Sequence, residues 1–162
     1  MLLDQITTAG IVGCGGAGFP TAVKYNTKTE YFIINAAECE PLLKTDHYVM
    51  NNYAKECVEA IAAVGEMLEA QHIVIATKAY YTKEIATLEK AIQELGAPVT
   101  IFKMKNFYPA GDEQIMVYEV TGRTVPPGGI PIEVGCVISN IATMLNIYQA
   151  RQGKNVTHKL LT

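Results

Sequence analysis

The 162-residue sequence has no tryptophan, few charged residues, no long apolar run and no closely spaced cysteines, and each gap narrows what the chain can be. Without tryptophan, its intrinsic optical signal must come from nine tyrosines. No stretch reaches the roughly eighteen uncharged apolar residues of a bilayer-spanning helix, and the opening MLLDQITTAG lacks the cationic region and apolar run of an export signal. The expectation is a soluble, cytoplasmic chain with no direct membrane insertion. Lys and Arg number 13 against 16 Asp and Glu, a formal charge of -3, and no basic block could neutralise a run of phosphates, which argues against nucleic acid as a partner. Cys14, Cys39, Cys57 and Cys136 form no C-x-x-C pair, and His47, His72 and His158 follow no ligand spacing, so no metal site is expected. In a chain of this kind the four thiols are expected to stay reduced. What remains is ordinary globular composition: 49% hydrophobic residues suffice for a buried core, and 18% charged residues lie far from the signature of disorder.

Three short runs rich in β-branched and aromatic residues, Tyr31–Asn35 (YFIIN), His72–Thr77 (HIVIAT) and Val99–Lys103 (VTIFK), read as buried strands. Two helical patterns separate them, one over roughly Asp46–Ala70 and one over Thr82–Leu95 that ends at Gly96. Strand, helix, strand, helix, strand requires crossover connections. The class is therefore α/β, a Rossmann-like layered sheet, mainly parallel, with helices on both faces. Further along, Asp112–Val120 is a helical candidate, Glu133–Ile138 a possible strand and Asn140–Ala150 a helix. The tail KNVTHKLLT alternates like a lone strand after the turn signal Gly153.

Chemistry concentrates in three places. In Gly13–Tyr25 (GCGGAGFPTAVKY), Gly13, Gly15 and Gly18 satisfy G-x-G-x-x-G, and Pro20 stands where a helix can begin. Glycines let a phosphate approach backbone amides, and Lys24, about one turn into that helix, can add a positive charge. Four glycines also make an ordinary turn. A dinucleotide fingerprint needs a strand before the loop, and only Ile11 and Val12 precede Gly13. The second place is Asn35–Pro41 (NAAECEP), at the carboxyl end of the first strand, where open α/β sheets bind ligands; Asn35, Glu38 and Glu40 offer donors, acceptors and acid, or simply an acidic turn. The third, Tyr108–Glu113 (YPAGDE), reads as a loop entering a helix whose dipole Asp112 and Glu113 complement. Ser139 and Asn140 open the last helix, with capping as their plain role.

Taken together, GCGGAGFPTAVKY, NAAECEPLLKTDHYVM, YPAGDEQ and SNIAT, collinear over about residues 6 to 150, resemble one flavin domain. It is shared by the NADH-oxidising flavoprotein subunit of respiratory complex I and the C subunit of the Rnf electron-transport complex. The closer likeness is to the Rnf branch, which includes cobalamin reductases and a proline-reductase-associated electron carrier. The resemblance implies FMN as cofactor, with phosphate or flavin contacts for Gly13, Gly15, Gly16 and Lys24. It places Asn35 and Glu38 toward the ribityl chain or ring, Asn140 by the phosphate, and Gly111 and Glu113 beside the flavin. Glu40 matches a carboxylate near the stacked nicotinamide and takes the catalytic assignment; Phe19 matches an aromatic that holds NADH. NADH is the implied electron donor, and iron-sulfur domains or subunits outside this chain the implied acceptors, through which it would be peripheral to a membrane. Residues 1–150 would form the FMN-binding domain and 151–162 the start of a truncated, ubiquitin-like SLBB domain. The chain departs from complex I at Cys14, where Arg stands there, at Ala37 in place of Asp, and at Thr27 in place of a second aromatic. Two other classes remain open: a docking scaffold that has lost its flavin, and a stand-alone NAD-binding Rossmann domain.

Overall fold

A computed structural model describes residues 1–158 and 160. Four strands, β1 (Tyr31–Asn35), β2 (His72–Lys78), β3 (Thr100–Met104) and β4 (Cys136–Asn140), form one sheet in the order β3-β2-β1-β4, parallel throughout. The expected α/β class is therefore observed. All four strands are short; β1, β2 and β4 are largely buried because helices cover the sheet on both sides, while the edge strand β3 buries only Met104 fully. One face carries Phe32, Ile34, Ile73, Ile75 and Val137 against the large core, closed by α1 (Leu2–Thr8), α3 (Thr45–Asn52), α4 (Ala54–Met67), α5 (Thr82–Leu95) and α7 (Ile141–Arg151). The alternate residues Ile33, Ala76, Met104 and Ile138 meet Met116 and Val117 of α6 (Glu113–Thr121) on the other face. A single helical turn, α2 (Thr21–Lys24), closes the glycine loop.

Strand order places a topological switch between β1 and β4. From β1 the chain moves outward through β2 to β3 on one side, then crosses the opposite face through α6 to reach β4. The carboxyl ends of β1 and β4 part there, leaving a crevice where doubly wound sheets bind ligands.

Four expectations need correction. The helix expected over Asp46–Ala70 is two helices, interrupted at Tyr53 (φ -132°, ψ 28°). Asn52 Nδ2 donates to Tyr48 O at 2.8 Å, the side-chain competition that makes Asn a poor helix interior. The strand expected from Glu133 starts at Cys136, because Pro131–Val134 winds into a 3-10 turn that Gly135 ends in the left-handed region. Pro20 precedes the first helical residue rather than occupying it, and the helix it opens lasts one turn. Lys154–His158 shows no regular structure; the rest of the expected tail strand lies mostly outside the described residues. By contrast α5 spans the residues its periodicity indicates, with Gly96 (φ +58°) capping it.

Gly65 of α4 faces Ile73 of β2 so closely that an added Cβ would meet its Cδ1 and stand 2.8 Å from its Cγ1. Alanine normally stabilises a helix interior by ~1 kcal/mol over glycine, whereas overpacking a core costs ~1–3 kcal/mol. Gly65→Ala should therefore lower unfolding free energy in urea titration, and by much less in an Ile73→Ala background, where the clashing atoms are gone.

Candidate functional site

The glycine loop folds back on itself rather than following a strand. Val12 and Pro20 form an isolated antiparallel bridge, Gly13 N donates to Phe19 O at 2.9 Å, and Thr21 N donates to Ile11 O at 3.0 Å. These bonds pinch residues 13–19 into a projecting loop. Gly16 (φ +113°) and Gly18 (φ +61°) adopt conformations side chains resist, and a Cβ on either would meet open space. The result is a bare main-chain surface open to an anion. Cys14 N donates to Thr143 Oγ1 at 3.0 Å, and a Cβ on Gly15 would lie 3.9 Å from Asn140 Cβ, so the loop is docked on the start of α7 at the switch point.

Lys24 reaches from α2 to the end of β4 and to α6. Its Nζ donates to Ile138 O at 2.8 Å and pairs with Glu113 Oε1 at 3.1 Å, with both side chains partly solvent-exposed. Residues 89 positions apart thus meet at the start of α6. Beside them Asn35, the Cα partner of Asn140 across β1 and β4, donates from Nδ2 to Gly111 O at 2.8 Å and accepts from Ala37 N at 3.1 Å. Gly111 N donates to Cys39 Sγ at 2.9 Å. Both polar groups of the Gly111 backbone are held by the Asn35–Pro41 loop, and a Cβ there would come within 2.8 Å of both Ala37 O and Cys39 Sγ.

Asn140 caps α7, accepting from Ala142 N at 2.8 Å, and donates to Asp46 Oδ2 at 3.0 Å. Asp46 is 6% exposed. Burial, reinforced by the charge of Glu38 and only partly offset by the Asn140 hydrogen bond, raises its carboxyl from 3.8 to about 7. Asp46 lies in the Lys-Thr-Asp run, where nothing in the spacing gave it a role. Cys39 and Thr143 were missed for the same reason: their partners are Gly111 and Cys14, far away in the chain.

Of the residues singled out from the sequence, Gly13, Gly15, Gly16, Lys24, Asn35, Gly111, Glu113 and Asn140 gather around the switch point. Glu38 adjoins them through its charge on Asp46 and through its carbonyl, which accepts from Tyr81 Oη at 3.0 Å. Phe19 stands at the loop rim, 49% exposed. Glu40 is exposed and lines a groove with Glu38, Cys39, Lys78, Tyr80 and Glu84, so this groove adjoins the switch-point site through the Asn35–Pro41 loop. The four cysteines are free, and Asp112 caps α6 by accepting from Gln114 N and Ile115 N. Among the described residues no His, Cys, Asp and Glu cluster could hold a metal, and no helix is long and apolar enough to cross a membrane.

The family model of the Nuo51 FMN-binding domain matches residues 6–149. The chain is 38% identical over 160 residues to cobalamin reductase PduS of Citrobacter freundii, covering 98% of this chain and 35% of that protein. It is also 38% identical over 152 residues to the C subunit of the ion-translocating oxidoreductase complex of Vibrio cholerae, covering 92% of this chain and 19% of that one. It therefore spans about a third or less of these curated relatives. A solved NAD+-reducing NiFe-hydrogenase in the H2-reduced state superposes with TM-score 0.82 at 22% identity, over 92% of this chain and 30% of that chain, which shows a shared fold.

The raised Asp46 carboxyl carries a stability signature. Folded, the group keeps its proton up to about pH 7; unfolded, it releases it near pH 4, so the folded chain binds more protons in between. Its contribution is full below about pH 4 and is lost as pH rises to about 7. Comparing urea unfolding across this range, the wild type should lose roughly 2–4 kcal/mol that Asp46→Asn does not. Gly111→Ala should separate the two loops and lower the melting temperature, visible also as exposure of Cys39 to a thiol reagent.

Proposed function

Given that the chain belongs to the Nuo51 FMN-binding domain family, we propose that it holds FMN at the switch point and serves as the flavin domain of a larger electron-transfer protein. In that role it takes electrons from NADH or a similar donor and passes them to iron-sulfur centres outside these residues. The observation that carries this reading is the bare glycine loop docked on the amino end of α7, with Lys24, one turn beyond the loop, fixed on β4 by Ile138 O. The residues present fit the cofactor. The loop offers main-chain amides without side chains in the way, and Lys24 supplies positive charge for a phosphate. FMN, when bound, supplies two-electron acceptance as hydride with release of single electrons.

The chain's own residues then have distinct tasks. Gly15 and Gly16 bind the phosphate end through the backbone, Gly13, whose amide donates to Phe19 O, closes the base of the loop, and Lys24 neutralises the phosphate while Glu113 and Ile138 O hold the ammonium in place. Asn35 and Asn140 act mainly as positioning residues. Both polar groups of Asn35 lock the Ala37 and Gly111 backbones, and those of Asn140 join α7 to Asp46. Glu38 and Gly111 shape the wall beside the ring. Phe19, exposed on the rim, and Glu40 are assigned to the electron donor.

A second reading, a docking module without flavin, draws on one feature: Lys24 already has a carboxylate partner in Glu113. Titration separates the two. Purified chain should bind FMN with a shifted visible spectrum, and Lys24→Ala should weaken binding about tenfold to a hundredfold, the usual worth of a charge-assisted hydrogen bond. Absence of binding at high micromolar FMN, in a chain that still melts cooperatively, would favour the docking module.

A further inference from the structure

Asp46 is the least exposed acid among the described residues, and a single side chain separates it from the glycine loop. That side chain is Asn140. A Cβ on Gly15 would stand 3.9 Å from Asn140 Cβ, and Asn140 Nδ2 donates to Asp46 Oδ2 at 3.0 Å. The Asn140 amide is fixed in this sense, because its Oδ1 already accepts from Ala142 N at 2.8 Å as the cap of α7. Asp46 Oδ2 is therefore an acceptor in either protonation state, and the proton, when present, belongs to Oδ1.

The elements around Asp46 do not answer its charge. On its own helix, Lys44 ahead of the first turn is exposed, and His47 pairs with Glu84 of α5 at 3.0 Å. The Asn35–Pro41 loop adds a second negative charge in Glu38. Helix α4 contributes the buried Cys57 thiol, which burial holds neutral, aided by the charges of Glu56 and Asp46. Helix α7 presents its neutral cap, Asn140, and Lys24 is engaged by Glu113 and Ile138 O. A carboxylate in the first turn of a helix is ordinarily favoured; here burial and Glu38 outweigh that, and the group keeps its proton to about pH 7.

An anion on the Gly15 and Gly16 amides brings a further negative charge to this cluster. Beside a neutral Asp46 it meets a hydrogen-bonded wall. Beside an ionised one it meets a partly buried like charge that solvent screens poorly. We propose that the glycine-loop cradle is proton-linked: it takes its anion together with a proton on Asp46 and loosens its hold when that carboxyl ionises. The link is reciprocal, so a bound anion raises the proton affinity of Asp46 by the same factor. It rests on the reading of the loop as a phosphate cradle, and FMN binding would then be tighter on the acid side of neutrality.

Amide spectra of the 15N-labelled full chain test the link with sulfate, a dianion whose charge is constant over the range, and visible absorbance tests it with FMN. Sulfate should move the Gly15, Gly16 and Ala17 amides, with affinity falling about fivefold between about pH 5.5 and about pH 8 as Asp46 ionises. Asp46→Asn should hold its acid-side affinity throughout. For FMN, the ratio of wild-type to Asp46→Asn affinity should fall over the same range; taking the ratio removes the ionisation of the FMN phosphate and of His47. Glu38→Gln, which removes a like charge, should move the wild-type midpoint to lower pH and carries the test alone if Asp46→Asn does not melt cooperatively. Parallel profiles for wild type and Asp46→Asn, an unmoved midpoint in Glu38→Gln, or no response of residues 15–17 to sulfate at about pH 5.5 would each overturn the proposal. Sulfate binding with the expected profile but no FMN binding would support the link and count against the flavin reading alone.

Discussion

Parallel pairing of β1 with β4 is the constraint on which the rest of this molecule depends. It sets Asn35 directly beside Asn140 and makes the strand ends diverge, since one strand feeds a crossover on one face and the other ends a crossover from the opposite face. Each segment with polar chemistry reaches that divergence by a different route. The glycine loop arrives over α7, the Asn35–Pro41 loop leaves β1, and the Gly111 loop arrives ahead of α6. Without the β1–β4 ladder these segments would share no surface.

The loops are held by the requirement that backbone polar groups find partners. Ala36 N donates to Ala76 O, Thr77 Oγ1 donates to Ala36 O, Ala37 N donates to Asn35 Oδ1, and Tyr81 Oη donates to Glu38 O, so the backbone from Asn35 to Glu38 is tied at each residue. The loop is thereby rigid enough to brace the Gly111 backbone in turn. A glycine is needed there because the two main chains approach too closely for a side chain. The glycine loop is held differently. It is pinched at its base and bare at its tip, the form expected of a surface whose remaining partners come from a ligand.

Electrostatics divides this end of the sheet into two environments. Around Asp46, burial and the neighbouring Glu38 favour the neutral carboxyl, while Asn140 favours the charged one; burial wins. Around Glu84, burial is overcome by His47 and Asn51, and the carboxylate stays ionised. Helix α3 supplies Asp46, His47 and Asn51 to both. The break at Tyr53 gives α3 a direction of its own, and with it contact with both α5 and α7.

Much of the fold was legible in the chain. Strands β1, β2 and β3, the extent of α5, the α6 start at Asp112 and the capping by Asn140 all follow from local pattern: period-two or period-3.6 burial, turn residues and caps. So did the four motifs that mark the family. The register that pairs Asn35 with Asn140, the bond from Cys14 to Thr143 across 129 positions, and the burial of Asp46 were decided only by the tertiary structure. The reason is physical: periodicity and capping act within a few residues, whereas the charge state and partners of a buried group are set by whatever the folded chain brings within a few ångströms of it.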